Sequence, residues 1–211
     1  MANHFKLSEN EILKLVQEHQ PILYQPKHDK YEPKFMYYRT RIRGHMLQIK
    51  YQAVWDNERH PRFLLHLLYA FLFRKLYYGS IKDIEYIQID IDLRTRKVTD
   101  IKYDQPNKTD YHLFWPLHRK RHLKHVPNPN HDQSIFLRFP IKGEEGYHGL
   151  VKPKFTQKRI HMAVASWNHI YDLYLKDWDD RVRQFSSLLL KKLDQDTYKK
   201  YKAHRRQRGD F

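Results

Sequence analysis

Apolar positions change their spacing several times along the chain, and each change marks a different element. Ser8-Glu9-Asn10-Glu11 has the Ser-x-x-Glu spacing of a capping box, with Ile12, Leu15, Val16 and His19 following at helical spacing. A short N-terminal helix is therefore expected, ending near Pro21. Pro21, Pro26 and Pro33 punctuate an extended segment. From Lys34 to Trp55 the pattern becomes that of strands, FMYYRTRI and HMLQIKYQAVW, around a turn at Gly44, which predicts a hairpin. Between Phe63 and Tyr78, Leu64, Leu67, Leu68, Phe71 and Leu72 share one helical face. An amphipathic helix inserted between strands is expected there, buried on two sides because its opposite face is still aromatic.

Ile84 to Tyr103 carries the clearest strand signal. Ile87, Ile89, Ile91 and Leu93 alternate with Gln88, Asp90, Asp92 and Arg94, and Thr95-Arg96-Lys97 turns the chain into Val98, Ile101 and Tyr103. This predicts a hairpin with one wet face. Residues 105 to 134 show little periodicity and read as a long irregular excursion. Strands are expected again at Ser134 to Ile141 and Ile160 to Ala165. From Tyr171 onward, Trp178, Val182, Phe185, Leu189 and Leu193 recur at three and four residues, which predicts a long C-terminal helix with a basic tail. No internal repeat is present. The pattern gives a mainly β fold, an antiparallel sandwich with helices at its periphery. Residues 1–198 form a single domain in this reading, and 199–211 a tail.

Composition narrows the chemistry. The 211 residues include 4 Trp, 16 Tyr and 11 Phe with 40% apolar residues, enough to bury a core, so disorder is excluded. There is no Cys, hence no disulfide, no thiolate zinc site and no cysteine nucleophile. The longest apolar stretch, Phe63 to Tyr78, is shorter than a bilayer span and contains His66, Arg74 and Lys75. With no secretory signal pattern at the start, a cytoplasmic protein is expected. Gly-x-Gly-x-x-Gly, Walker, Gly-x-Ser-x-Gly and His-Glu-x-x-His motifs are all missing. Ser166 near His169 is no triad signal, since a spacing of three says nothing of geometry.

Charge is unevenly distributed. Of the formal +16, two short segments hold most: five Lys/Arg against one Asp between Asn107 and His125, and six Lys/Arg with no acid between Lys199 and Arg208. A phosphate-bearing partner would feel these patches first. In the first patch, His118, His122 and His125 would share a helical face, a metal-ligand spacing. Arg119, Lys120, Arg121 and Lys124 beside them oppose a dication, so His118, Arg119, Arg121, His122, Lys124 and His125 are better candidates for binding an anion, with Phe114 and Trp115 available to stack. A solvated basic loop is the plainer alternative. Tyr37, Tyr38, Tyr77, Tyr78 and Tyr86 are assigned to packing.

Four segments in order resemble a known family. Pro21-Ile22-Leu23-Tyr24 with His28-Asp29-Lys30-Tyr31-Glu32-Pro33, then Ile49 to Asp56, then Asp83-Ile84-Glu85-Tyr86-Ile87-Gln88-Ile89, and last Met162 to His169 are similar to successive blocks of the vacuolar-sorting-protein-sixty-two-like family, itself distantly similar to necrosis-inducing cytolysins. The match spans about residues 20–172 and departs from the pattern at Ile84, at Asn168 and at Gly79-Ser80-Ile81-Lys82. The resemblance implies a β-sandwich and a site built from Asp56, Asp83, Glu85 and His169. Three carboxylates and one imidazole suit a divalent metal ion or acid/base work, and Asp83 and Glu85, two apart on a strand, share a face. Asp83, Glu85 and His169 are the candidate catalytic groups and all four are candidate metal ligands.

The expected function is metal-assisted action on, or recognition of, an anionic small molecule bearing phosphate or carboxylate, whether or not the protein is an enzyme. One divalent cation is the expected cofactor. The alternative is a non-enzymatic nucleic-acid-binding protein that uses segments 107–125 and 199–208. A third reading lays Phe63 to Tyr78 on an anionic membrane surface.

Overall fold

The computed structural model describes residues 6–27, 29–56, 83–105, 122–127, 135–138, 148–151, 154–164, 169, 171–173 and 182–194. Its one helix among these residues, α1 (Glu9–Glu18), starts as the sequence dictates. Ser8 accepts the Glu11 N–H on its hydroxyl, and the Glu11 carboxylate takes the Ser8 N–H at 2.7 Å. The helix ends at His19, whose ring Nδ1 lies 2.9 Å from the Leu15 carbonyl. Leu15 and Val16 are its buried face.

All other elements are strands: β1 (Ile22–Pro26), β2 (Pro33–Arg43), β3 (Met46–Trp55), β4 (Asp83–Asp92), β5 (Lys97–Gln105), β6 (His122–Pro127), β7 (Ile135–Arg138), β8 (His148–Val151), β9 (Phe155–Thr156), β10 (Arg159–Val164), β11 (Tyr171–Leu173), β12 (Val182–Phe185) and β13 (Leu190–Lys192). They form a six-stranded sheet in the order β13-β2-β3-β4-β5-β6, and a five-stranded sheet in the order β11-β10-β1-β12 with β9 paired to β10. β7 and β8 pair with each other.

Period-2 patterning explains the larger sheet. In the β2–β3 hairpin the two-residue turn Gly44-His45 places its positive φ, 59°, on glycine, where no Cβ resists it. β3 and β4 run antiparallel with Leu47, Ile49 and Tyr51 opposite Ile91, Ile89 and Ile87. These six residues are all but fully buried. They meet Leu23, Ile160, Met162, Val164, Tyr171 and Leu173 of the smaller sheet in one core. Each such fully buried aliphatic side chain is worth roughly 1.5–3 kcal/mol relative to exposure. The molecule is thus a β-sandwich, and α1 closes one flank: Tyr51 Oη donates to the Val16 carbonyl at 2.7 Å and Gln20 Nε2 to the Leu188 carbonyl at 2.7 Å.

Two expectations are corrected. The segment from Tyr171 does not make a long helix, because its described residues form three strands. β12 pairs antiparallel with β1, and β13 parallel with β2, so both supply hydrogen bonds to strand edges that the hairpins leave open. A spacing of three and four also accommodates single apolar contacts from short strands, and tertiary pairing overrides it here. The excursion at 105–134 is not irregular throughout, since β6 adds to β5 with Ile101 opposite Val126. The helix expected at 63–78 and the basic tail lie outside the described residues.

Candidate functional site at one end of the sandwich

The inward row of β3 ends in Ala53 and Trp55, whose partners on β4 are Glu85 and Asp83. An otherwise apolar row of the core therefore terminates in acidic positions. Glu85 is only 2% exposed, and the Asp83 position shares its side of the ladder by strand alternation. Trp55 is fully buried and stacks on His169, with ring centroids 4.5 Å apart and planes within 3°. The Tyr171 ring also meets the indole, tilted by 46° with centroids 6.1 Å apart.

His169 is fully buried and sits in the left-handed region, φ 56°, a conformation that histidine tolerates better than branched residues. Its Nε2–H donates to Asp29 Oδ2 at 3.0 Å. The connection from β1 to β2 supplies that carboxylate, which also accepts the Tyr31 N–H at 3.0 Å. Burial pushes the Asp29 carboxyl up, but the bond and charge of His169, with the Tyr31 and Gln25 contacts, outweigh it and hold the pKa below the ordinary value. Gln25, fully buried on β1, accepts from Trp55 Nε1 at 3.1 Å and donates to the Tyr31 carbonyl at 2.6 Å. Arg183 of β12 donates to the Asp29 carbonyl and to Glu32. Four separate stretches of chain thus fix one polar cluster under the end of the sheets.

Asp56 does not join this cluster. One residue past Trp55, it faces solvent with its side chain 59% exposed and pairs with Lys34 at 3.4 Å. Glu85 and His169 lie on the core side of the same sandwich end, and among the described residues no three His, Asp or Glu side chains are gathered so as to hold a metal ion. His118, Arg119 and Arg121 lie outside the described residues. His122, Lys124 and His125 belong to β6, opposite Gln105, Tyr103 and Lys102. On a strand the His122 and Lys124 positions share one side and His125 takes the other, so the helical grouping of the three histidines does not form there.

Sequence reasoning passed over Gln25 and Trp55 as site residues, and Asp29, Glu32 and Arg183 as well. A glutamine inside the apolar run Ile22-Leu23-Tyr24 was the available signal, since a buried amide requires partners. The other buried histidine of the smaller sheet, His161, has both ring nitrogens engaged, by Tyr24 Oη and Thr156 Oγ1 at 2.8 Å each, and reads as packing.

No family model matches the sequence, and no curated protein matches it. Solved structures align along most of its length. Necrosis and ethylene inducing protein 2 from the causal agent of cocoa's witches' broom disease does so with a TM-score of 0.48 and 10% identity, over 94% of this chain and 79% of its own. NLPPya in complex with mannosamine gives 0.49 and 9%, over 89% and 76%. A third, a toxin fold for microbial attack and plant defense, gives 0.43 and 8%, over 94% and 81%. At these identities the likeness is one of fold alone. The resemblance to the vacuolar-sorting-protein-sixty-two-like family is overturned: no family model matches, and the solved structures that align are the necrosis and ethylene inducing protein, NLPPya and the toxin fold, not members of that family.

Among the described residues no helix is long and apolar enough to cross a membrane.

Proposed function

We propose that the end of the sandwich recognises an anionic ligand through one divalent cation, with Glu85 and Asp83 as oxygen donors and His169 beside them. The observation that supports this reading is the burial of Glu85 at 2% exposure in a row that, the Asp83 position apart, is otherwise Leu, Ile, Tyr, Ala and Trp. A carboxylate at such a position offers hard oxygen donors of the kind divalent cations take. The donor chemistry fits in part: Asp29 holds one nitrogen of His169, the usual arrangement behind a metal-bound imidazole. Asp56 is left out of the set. A bound cation would supply Lewis acidity and a bridge to the ligand's oxygens.

The anionic half of the reading draws on the basic segment. β6 begins, at His122, opposite Gln105, at the end of the sheet where β4 begins with Asp83. In sequence, Arg119 and Arg121 precede His122 and Lys124 follows it. Elemental analysis of protein purified in high salt without chelator, then desalted, tests the reading. About one equivalent of divalent metal is expected, retained in Asp56→Asn and lost in Glu85→Gln and Asp83→Asn variants with the parent's circular dichroism. Metal at background in the parent, or equal metal in all variants, would overturn it.

A further inference from the structure

A second surface, away from the sandwich end, has chemistry of its own. On β2 the residues that alternate away from the core are Phe35, Tyr37, Arg39, Arg41 and Arg43. β13 adds Lys191 beside Tyr37. No acid occurs anywhere in β2 or β13. Arg39 stands directly opposite Lys50 of β3, and like charges placed opposite one another destabilise a sheet. Lys50 and Gln52 of β3 are buried, so the accessible part of this face is the β13–β2 edge. There Arg41, Arg43 and Lys191 are exposed, and Phe35 and Tyr37 are half-buried.

The spacing of the cations is informative. Alternate residues on an antiparallel strand stand about 6.8 Å apart. Neighbouring phosphates of an extended single strand are about equally far apart, so Arg39, Arg41 and Arg43 can each meet one of successive phosphates. Phe35 and Tyr37 continue the stripe on the same side with rings 4.9 Å apart and edge to face, and Lys191 Nζ lies 4.1 Å over the Phe35 ring. A flexible lysine on an aromatic face can yield that face to a base, since any base offers a π surface. Cations in a line with aromatics at one end are what a single strand requires: charge for the backbone and rings for unpaired bases.

We propose that the outward edge of β2, from Phe35 to Arg43 with Lys191, binds single-stranded nucleic acid. The test is fluorescence anisotropy of a labelled oligothymidylate and oligouridylate of about 12 nucleotides against salt, using the full chain. Arg41→Ala/Arg43→Ala alters only exposed side chains. It is expected to weaken binding at least tenfold at low salt and to reduce the salt slope by about 1.4, which is 0.7 for each of two lost phosphate contacts. Tyr37→Leu is expected to weaken binding about fivefold or more with the slope unchanged, as loss of a stacking ring would. Both variants should keep the parent's metal content, which separates this surface from the site at Glu85 and His169. The proposal is overturned if the parent shows no binding, or if Arg41→Ala/Arg43→Ala binds as the parent does, which would assign binding to 107–125 or 199–208. It is equally overturned if a duplex of the same length binds as tightly, or if vesicles containing phosphatidylserine are bound and the oligonucleotides are not.

Discussion

Replacement of Asp29 by alanine tests the polar cluster beneath the sandwich end most directly. The carboxylate is 12% exposed and holds a fully buried imidazole at 3.0 Å, with a second bond to the Tyr31 N–H. A hydrogen bond to a charged group contributes about 1.5–3 kcal/mol, and the buried donor left on His169 adds to its loss. The Tyr31 bond is less sheltered and adds less, so Asp29→Ala is expected to cost about 2–4 kcal/mol. In a chain of this size that is a fall in Tm of roughly 5–15 °C. Asp29→Asn keeps one acceptor oxygen for one of the two donors that bond to separate carboxylate oxygens, puts an NH2 donor in place of the other and loses the charge, and is expected to cost about 1–3 kcal/mol, less than Asp29→Ala.

The dependence on pH has a definite sign. The folded-state pKa of Asp29 is lowered, so its contribution is complete above the unfolded value of about 3.9 and is lost as pH falls through the folded value. Urea unfolding followed by tryptophan fluorescence, which reports Trp55 stacked on His169, should show the full difference between parent and Asp29→Ala near pH 7. The difference should shrink in acid once the carboxylate is protonated. A variant within about 0.5 kcal/mol of the parent at neutral pH, or a difference that persists unchanged in acid, would refute the argument that Asp29 holds His169 in place.

Two further outcomes follow from buried polar groups elsewhere. Tyr51→Phe removes only the hydroxyl that donates to the Val16 carbonyl, and should cost about 1–3 kcal/mol by chemical denaturation while leaving metal content unchanged. Burial pushes the His19 imidazole below its ordinary pKa, with Nε2 buried and, among the described residues, without a hydrogen-bond partner, so the folded state favours the neutral ring. Stability should then decline as pH falls below about 6.5, the unfolded value, and His19→Phe should flatten that part of the unfolding-midpoint profile.

Elements set by neighbours in sequence were legible, and those set by distant partners were not. The capping box at Ser8 and Glu11 is a local exchange of two hydrogen bonds, and α1 begins where it predicts. The alternation of Ile87, Ile89 and Ile91 with polar residues is likewise enough to specify β4 and the side it buries. Glu85 came into the candidate site through the resemblance, and strand alternation alone says only that it shares a side with Asp83. Its burial was not legible, since that depends on the second sheet. The pairing of Asp29 with His169 joins positions 140 residues apart, and nothing at either position marks it. Val182 and Phe185 illustrate the opposite failure, a local spacing that fits a helix while the edge of β1 draws the same residues into a strand.

The central place of β1 in the smaller sheet has a consequence for how the chain reaches its native state. Residues 22–26 lie between β10 and β12, so one of the first strands made acquires both its neighbours only when the last part of the chain emerges. The β2 edge is closed just as late, by β13. Such topology places the fold among the slow ones, whose loop-closure entropy must be met before the rewarding contacts form. During synthesis, the nearly finished β2–β3–β4–β5 meander would present an apolar face and an open edge, the species most prone to join a second copy of itself. Three basic side chains at alternate positions of that strand, Arg39, Arg41 and Arg43, then act as gatekeepers, repelling another β2 until β13 arrives.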